Sequence, residues 1–408
     1  MKPDTRFFLL IALVGGFAIL SSTMSKTPVL PLFAEALKAT PSEIGWIVMA
    51  STIPGVLVSY PAGVLSDILG KRRLLIASLV VFATAPFLYL LMANAWQLMA
   101  VRFYHGFATA IFGTVASAAI AERYVADRAA RLSTYSSVTI VGRSVAPFLG
   151  GALISLASFD AVYIACAVGG VIAFAAGLLL HPQGVRRQTL APDGAVLAQR
   201  DGHDEPTHAA RRELPGFWPS LVTVLKDRGI MQVSLVEAAQ YLVFGAVEAF
   251  LALYASSLGI PAWQIGIILG VQLVSIVFAK PLMGRLSDRI GRTAVIVPGL
   301  LIGAASVALL ILAKDFVSLT LLSLVFGIGF ATVTSSTTAL VADLTKDGRF
   351  GASMGVLRTV MDVGQSIGPV LTGFVVGIAG YASAFGVLAA ILVLATLLLR
   401  GLPAPASR

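Results

Sequence analysis

Long apolar runs alternate with short polar turns along nearly the whole chain. About 20 mostly apolar residues cross the ~30 Å hydrocarbon core of a bilayer as a helix. Twelve runs qualify, with approximate bounds at 7–34, 43–66, 73–93, 96–121, 131–158, 160–180, 229–257, 263–286, 293–313, 316–343, 351–378 and 380–400. The short turns between them favour antiparallel neighbours. One interruption is long: residues 181–227 are rich in Arg, Asp and Pro, lack an apolar period, and read as a disordered linker. Within it, Phe217 to Leu225 followed by Lys226 and Arg228 suits a short helix on the membrane surface.

A charged turn, Gly63 to Arg73, recurs as Gly284 to Arg292 at an offset of 221 residues. Gly45 and Gly266, Gly106 and Gly327, and Glu122 and Asp343 share that offset. Gly142 and Gly364, Pro147 and Pro369, and Gly151 and Gly373 share an offset of 222. The pattern predicts an all-α integral membrane protein, twelve transmembrane helices in two pseudo-symmetric six-helix bundles around a central cavity. The bundles are expected at 1–180 and 228–408, joined by the linker at 181–227.

Composition strengthens this picture. Hydrophobic residues are 57% and charged residues 12% of 408, where a soluble chain carries about 25% charge. Most of the surface must therefore face lipid. The net charge of +9 would otherwise raise nucleic acid as a partner. Its distribution removes that need. With both termini cytoplasmic, only Lys38 and Lys314 of the 29 Lys and Arg fall in outer loops, a strong positive-inside bias. That bias predicts a multi-pass protein of the inner (plasma) membrane. Lys2 and Arg6 before Phe7–Leu20 resemble a signal peptide, but no cleavage site follows and the apolar stretch runs past Pro31, so an uncleaved first helix is expected. Cys166 stands alone, so no intramolecular disulfide or thiolate cage can form. Three of the four histidines, His181, His203 and His208, lie in the linker at spacings that match no ligand pattern. No metal and no cofactor are expected.

Gly63, Leu65, Asp67, Gly70, Lys71 and Arg72 resemble the loop signature of the major facilitator superfamily, departing from it at Ile68. Arg102, four residues before Gly106, resembles that family's membrane-embedded arginine motif. Gly142-Arg143-Ser144-Val145-Ala146-Pro147-Phe148-Leu149-Gly150-Gly151 resembles its helix-five export signature, with Ala146 in place of a glycine. Pro28-Val29-Leu30-Pro31 resembles the proline motif of its twelve-helix drug:proton antiporters. The resemblance implies alternating access. It also implies a cytoplasmic latch, closed when the cavity opens outward, made of Gly63, Asp67, Gly70, Lys71, Arg72 and Glu122 with Gly284, Asp288 and Arg292. Asp67 would then lie near the start of helix eleven, around Gly351 to Ser353, and Lys71 to Arg73 near Glu122.

The helix-five residues Gly142, Pro147, Gly150 and Gly151, with Gly364, Gly368 and Pro369 in helix eleven, admit close packing or a hinge, and their repetition favours the hinge. Intramembrane charge is costly and usually lines cavities or pairs. Glu237 and Glu248, 11 residues apart, fall within about 20° of one helix face and some 16 Å apart along it. Gln240 and Tyr241 would widen that polar wall. Asp362 sits four residues after Arg358, and the two can neutralise each other or serve a site. Lys26 lies in the polar run Ser21–Thr27, and the offset maps Thr27 onto Glu248, so Lys26 and Glu248 are expected to pair across the cavity. Arg143, which the repeat sets opposite Gln365, joins Lys26, Gln240, Tyr241, Arg358 and Gln365 as cavity candidates. Glu248, Glu237 and Asp362, with Arg102 as a modulator, are the proton-coupling candidates, since burial makes a carboxylate easier to protonate.

The expected function is proton-coupled efflux of a small toxic compound by a monomer. The lysine in helix one, where many drug antiporters carry an acid, suits neutral or anionic cargo and keeps a small inorganic or organic solute as an alternative. Examples are a metalloid oxyacid, a sugar or another metabolite. An uptake symporter is a further alternative. No nucleotide-binding loop and no nucleophile–His–acid set occurs, so neither ATP use nor an enzyme is expected.

Overall fold

The computed structural model describes residues 3–124, 127–180, 217–345 and 350–399, and every regular element among them is helical. The first span is broken into α1 (Pro3–Met24) and α2 (Val29–Ala36). The second is broken into α3 (Pro41–Ala50) and α4 (Ile53–Leu69). Thr40 and Glu43 form a capping box that starts α3. Next come α5 (Lys71–Tyr89), α6 (Ala95–Arg123), α7 (Arg128–Leu156) and α8 (Phe159–Leu178). The remaining linker, residues 181–216, lies outside the described residues.

A short helix, α9 (Phe217–Lys226), falls where a surface helix was expected. It packs on α10 (Arg228–Ser257) and the last helix, and buries Val224 there. Then follow α11 (Ala262–Ile290), α12 (Arg292–Leu309), α13 (Phe316–Leu344) and α14 (Phe350–Leu398). Eleven helical segments are long and apolar enough to span, and the last, Ala352–Leu398, has 47 residues. At 1.5 Å per residue it is about 70 Å long, more than two bilayer cores. Gly380, at φ 75° and ψ 178°, breaks it into two spans and completes the twelve.

α1 packs on α7 and α8, α5 on α6 and α8, and α4 on α6. In the second set, α10 packs on α14, α11 on α13, and α12 on α13 and α14. The glycines of the repeated charged turns, Gly70 at φ 88° and Gly291 at φ 99°, adopt the same left-handed conformation, which glycine enters without a Cβ clash. These turns mark one end of the molecule.

The two sets meet mainly at the opposite end, through two symmetry-related crossings of bare backbone. A Cβ on Gly45 of α3 would lie 2.9 Å from Val370 Cα, against the carbonyl of Pro369 in α14. Its repeat partner, Gly266 of α11, meets Pro147 and Gly151 of α7 in the same way, with Gly151 Cα at 3.1 Å. Gly373 closes on Pro41, as Gly151 does on Ala262. A buried cluster joining Met24, Val29, Leu30, Ile44 and Ile47 to Phe250, Leu253 and Val376 seals that end. The cleft between the two sets therefore opens toward the charged turns. Replacing Gly45 or Gly266 by leucine forces two backbones apart. The expected cost is about 1–3 kcal/mol, read as a lower thermal unfolding midpoint in detergent. Gly377→Leu, where a Cβ would meet nothing within 4 Å, should not lower it.

Candidate functional site

The polar run Ser21–Thr27 ends α1, and the turn before Val29 aims the next side chains sideways toward α10. Lys26 Nζ lies 2.8 Å from Glu248 Oε2, and Thr27 Oγ1 donates to Glu248 Oε1 at 2.7 Å. The ion pair expected from the repeat thus forms, and Thr27 joins it. Thr27 and Glu248 are repeat equivalents, and so are Glu35 and Ser256, which meet at 3.1 Å. Equivalent residues of a two-fold repeat can touch only at the axis relating them, so this contact line runs along the pseudo-two-fold axis. Lys26 keeps 27% and Glu248 11% side-chain exposure, so the pair is open to the cleft.

Nearer the charged turns, Arg143 of α7 is exposed and interacts electrostatically with Tyr241, Glu248 and Lys280 across the cleft. Arg358 and Asp362 of α14 interact with each other and with Tyr241, without ion-pair contact. Tyr241 meets Phe330 edge to face with ring centres 5.0 Å apart, and Phe330 lies tilted against Phe244 at 4.5 Å. Gln365 packs against Gly245 of α10.

Two residues lie elsewhere than the expected polar wall. Glu237 is 2% exposed and accepts a hydrogen bond from Thr337 of α13. Gln240 is fully buried beside Gly303 of α12, its amide without a hydrogen-bond partner among the described residues. The face that meets the first set of helices at Glu248 turns into the second set at Glu237, because the neighbours of α10 change along its length. Lys280 of α11 was overlooked in the sequence. It interacts with Glu237 and lies 5.9 Å from the centre of the Phe330 ring, and a lysine inside an apolar run was the signal.

Arg102 is 3% exposed and has no acid beside it among the described residues. It donates to Ser51 Oγ at 2.6 Å and to Tyr89 Oη at 3.4 Å, and Tyr89 Oη bonds His105 Nδ1 at 3.1 Å. It braces the turn between α3 and α4, where Gly106 also packs on Ser51. The next residue, Thr52, bonds Ser366 of α14 at 2.7 Å.

At the charged turns, Lys71 Nζ lies 2.7 Å from Glu122, and its repeat equivalent Arg292 lies 2.9 Å from Asp343. Arg292 also pairs with Asp288. Arg72 departs from the expected pairing with Glu122: it donates to the carbonyls of Leu178 and Leu180, capping the end of α8. Gly63 and Asp67 belong to α4 and Gly351 to α14, but the surroundings of Gly63, the Asp67 side chain and Gly351 lie outside what the structure describes. Gly284 has open space around it. In helix five, Gly142 and Gly150 face α1 and α2, while Gly364 and Gly368 face α10 through Ala238 and Leu242.

The family model of the Major Facilitator Superfamily matches residues 11–230 and 233–408, and the chain belongs to that family. Among its relatives, an uncharacterized MFS-type transporter of Methanocaldococcus jannaschii is 22% identical over 88% of each chain. Quinolone resistance protein NorA of Staphylococcus aureus is 24% identical over 85% of this chain and 84% of its own. Multidrug resistance protein MdtM of Salmonella typhimurium is 30% identical over 47% of this chain and 49% of its own. A bacterial homolog of the human lysosomal transporter Spinster, solved inward-facing and unoccupied, superposes with a TM-score of 0.75 at 15% identity, covering 98% of this chain and 95% of its own. The chain is a multi-pass membrane transporter, not an enzyme.

Removing one partner of a largely buried ion pair costs about 3–5 kcal/mol, because the other charge is stranded. Lys26→Met and Glu248→Gln should each lower the unfolding midpoint in detergent, and the double variant should recover at least half of the loss. A double variant no more stable than either single one would refute a coupled pair.

Proposed function

We propose that the chain is a secondary exporter that exchanges a small aromatic compound from the cytoplasm for protons. The observation that carries this reading is the Lys26–Glu248 pair on the pseudo-two-fold axis, tying the two bundles together while open to the cleft. While Glu248 is charged, the pair holds the far end closed. A proton on Glu248 releases it, and so does a substrate that takes Lys26 from Glu248. An empty carrier stays locked, and either ligand alone unlocks it, which is the rule for exchange.

The scale is adequate. Leaving one partner of such a pair uncompensated costs ~3–5 kcal/mol, the same order as the ~5.5 kcal/mol that moves a two-state equilibrium from 1:99 to 99:1. The names of the relatives NorA and MdtM, and the resemblance of the helix-five motif to an export signature, favour outward transport. The charge bias favours an orientation with the charged turns and both termini in the cytoplasm of an inner-membrane protein, and in that orientation the cleft as described faces inward; the chain acts as a monomer in this reading.

In this reading the bundles, 1–180 and 228–408, rock about the Gly45–Pro369 and Gly266–Pro147 crossings. The Lys71–Glu122 and Arg292–Asp343 pairs shape the turns that latch the cytoplasmic side in the opposite state. Glu237, bonded to Thr337 and near Lys280, is the second candidate for the proton.

Cells producing the chain should accumulate less of a fluorescent fluoroquinolone than empty cells, and a protonophore should abolish the difference. Glu248→Gln should carry the compound to equilibrium but not against a gradient. Higher accumulation in producing cells would make the chain an importer, and uphill pumping by Glu248→Gln would remove that acid from coupling.

A further inference from the structure

We propose that the cleft binds an aromatic organic anion and that Arg143 anchors its charged group. The inference rests on the cleft being the substrate path, but not on transport direction or proton coupling. Charge inside a membrane protein is normally compensated. Three acids lie at this depth and each has its own cation. Glu248 has Lys26, with Thr27 on its other oxygen. Glu237 has Lys280, with the Thr337 hydroxyl beside it. Asp362 has Arg358, one turn away on the same helix. Arg102 is enclosed in the first bundle by Ser51 and Tyr89 and does not reach the cleft.

Arg143 is left over. It is exposed, makes no hydrogen bond or ion pair with any described residue, and lies within electrostatic reach of Tyr241 and Lys280. Both oxygens of Glu248, the one acid it senses, are already taken. A ligand carrying one negative charge completes the balance. The planar guanidinium fork matches a carboxylate in two parallel hydrogen bonds. The half-buried Tyr241 ring, backed by Phe330 and Phe244, offers an aromatic face beside that charge. A cationic ligand would instead be repelled by Arg143 and would find each nearby acid already matched by a cation.

The test uses the full chain in neutral detergent at fixed pH without any gradient, so neither export nor coupling enters. Binding of three matched probes is measured by titration calorimetry: 2-naphthoate, 2-naphthamide and 2-naphthylmethylammonium. Naphthoate should bind at least tenfold more tightly than either of the others. Arg143→Gln should weaken naphthoate at least tenfold and leave the amide unchanged, and Arg143→Lys should restore part of the loss. Equal or tighter binding of the ammonium or the amide, an equal effect of Arg143→Gln on naphthoate and the amide, or no binding of naphthoate would overturn the proposal. So would displacement of naphthoate by phosphatidylglycerol at equal concentration, which would assign Arg143 to a lipid headgroup.

Discussion

One geometric constraint governs the centre of this molecule. Two repeats related by a two-fold axis place equivalent residues face to face wherever a helix touches that axis. Thr27 meets Glu248, and Glu35 meets Ser256. Identical acids at such positions would confront each other as like charges, which a low-dielectric site does not tolerate. The duplicated sequence therefore has to diverge on the axis. It does so by setting one acid against one hydroxyl at both levels, and Lys26 beside Thr27, where the second repeat has Val247, neutralises the deeper acid. The only cross-bundle ion pair among the described residues follows from this asymmetry.

Away from the axis the constraint reverses. A contact there has a symmetry mate, so the same residue type serves both copies and identity is retained. Gly45 and Gly266, Pro147 and Pro369, and Gly151 and Gly373 build the two crossings with the same atoms. Backbone packed on backbone gains dispersion energy without interlocking side chains, so such a contact can pivot without first withdrawing a side chain. In the proposed exchange cycle, the axis would carry the chemistry and the crossings the motion.

What the sequence revealed follows the same division. The spans, the division of the last apolar stretch near residue 379, the short helix ahead of α10 and the Lys26–Glu248 pair were legible, because repeat offset and hydropathy constrain each of them directly. The short breaks at 25–28 and 51–52 were not, since interruptions of four and two residues leave the segments on either side close enough to read as one span. Helical periodicity put Glu237 and Glu248 on one face correctly, but a helical wheel says nothing about what lies opposite. The same face meets the first bundle at Glu248 and Thr337 of the second at Glu237. Arg72 could not be assigned because the carbonyls it caps belong to a helix end more than 100 residues away. Lys280 stands out as a lysine inside an apolar run, but its meaning depends on Glu237, which no local pattern connects to it.

The leftover charge on Arg143 bears on how the lock could be opened. Were every mid-depth charge compensated, a neutral ligand would find no electrostatic reason to disturb the Lys26–Glu248 pair, and only a proton could do so. Arg143 interacts with Glu248 from across the cleft, so an anion drawn to Arg143 brings negative charge toward the carboxylate that Lys26 holds. That repulsion weakens the pair from the substrate side, as protonation weakens it from the proton side. Both ligands then act on one bond through opposite charges, and neither needs a separate relay through the protein. Exchange in this scheme requires only that the empty carrier keep its ion pair, a condition already met where Thr27 and Glu248 meet on the axis.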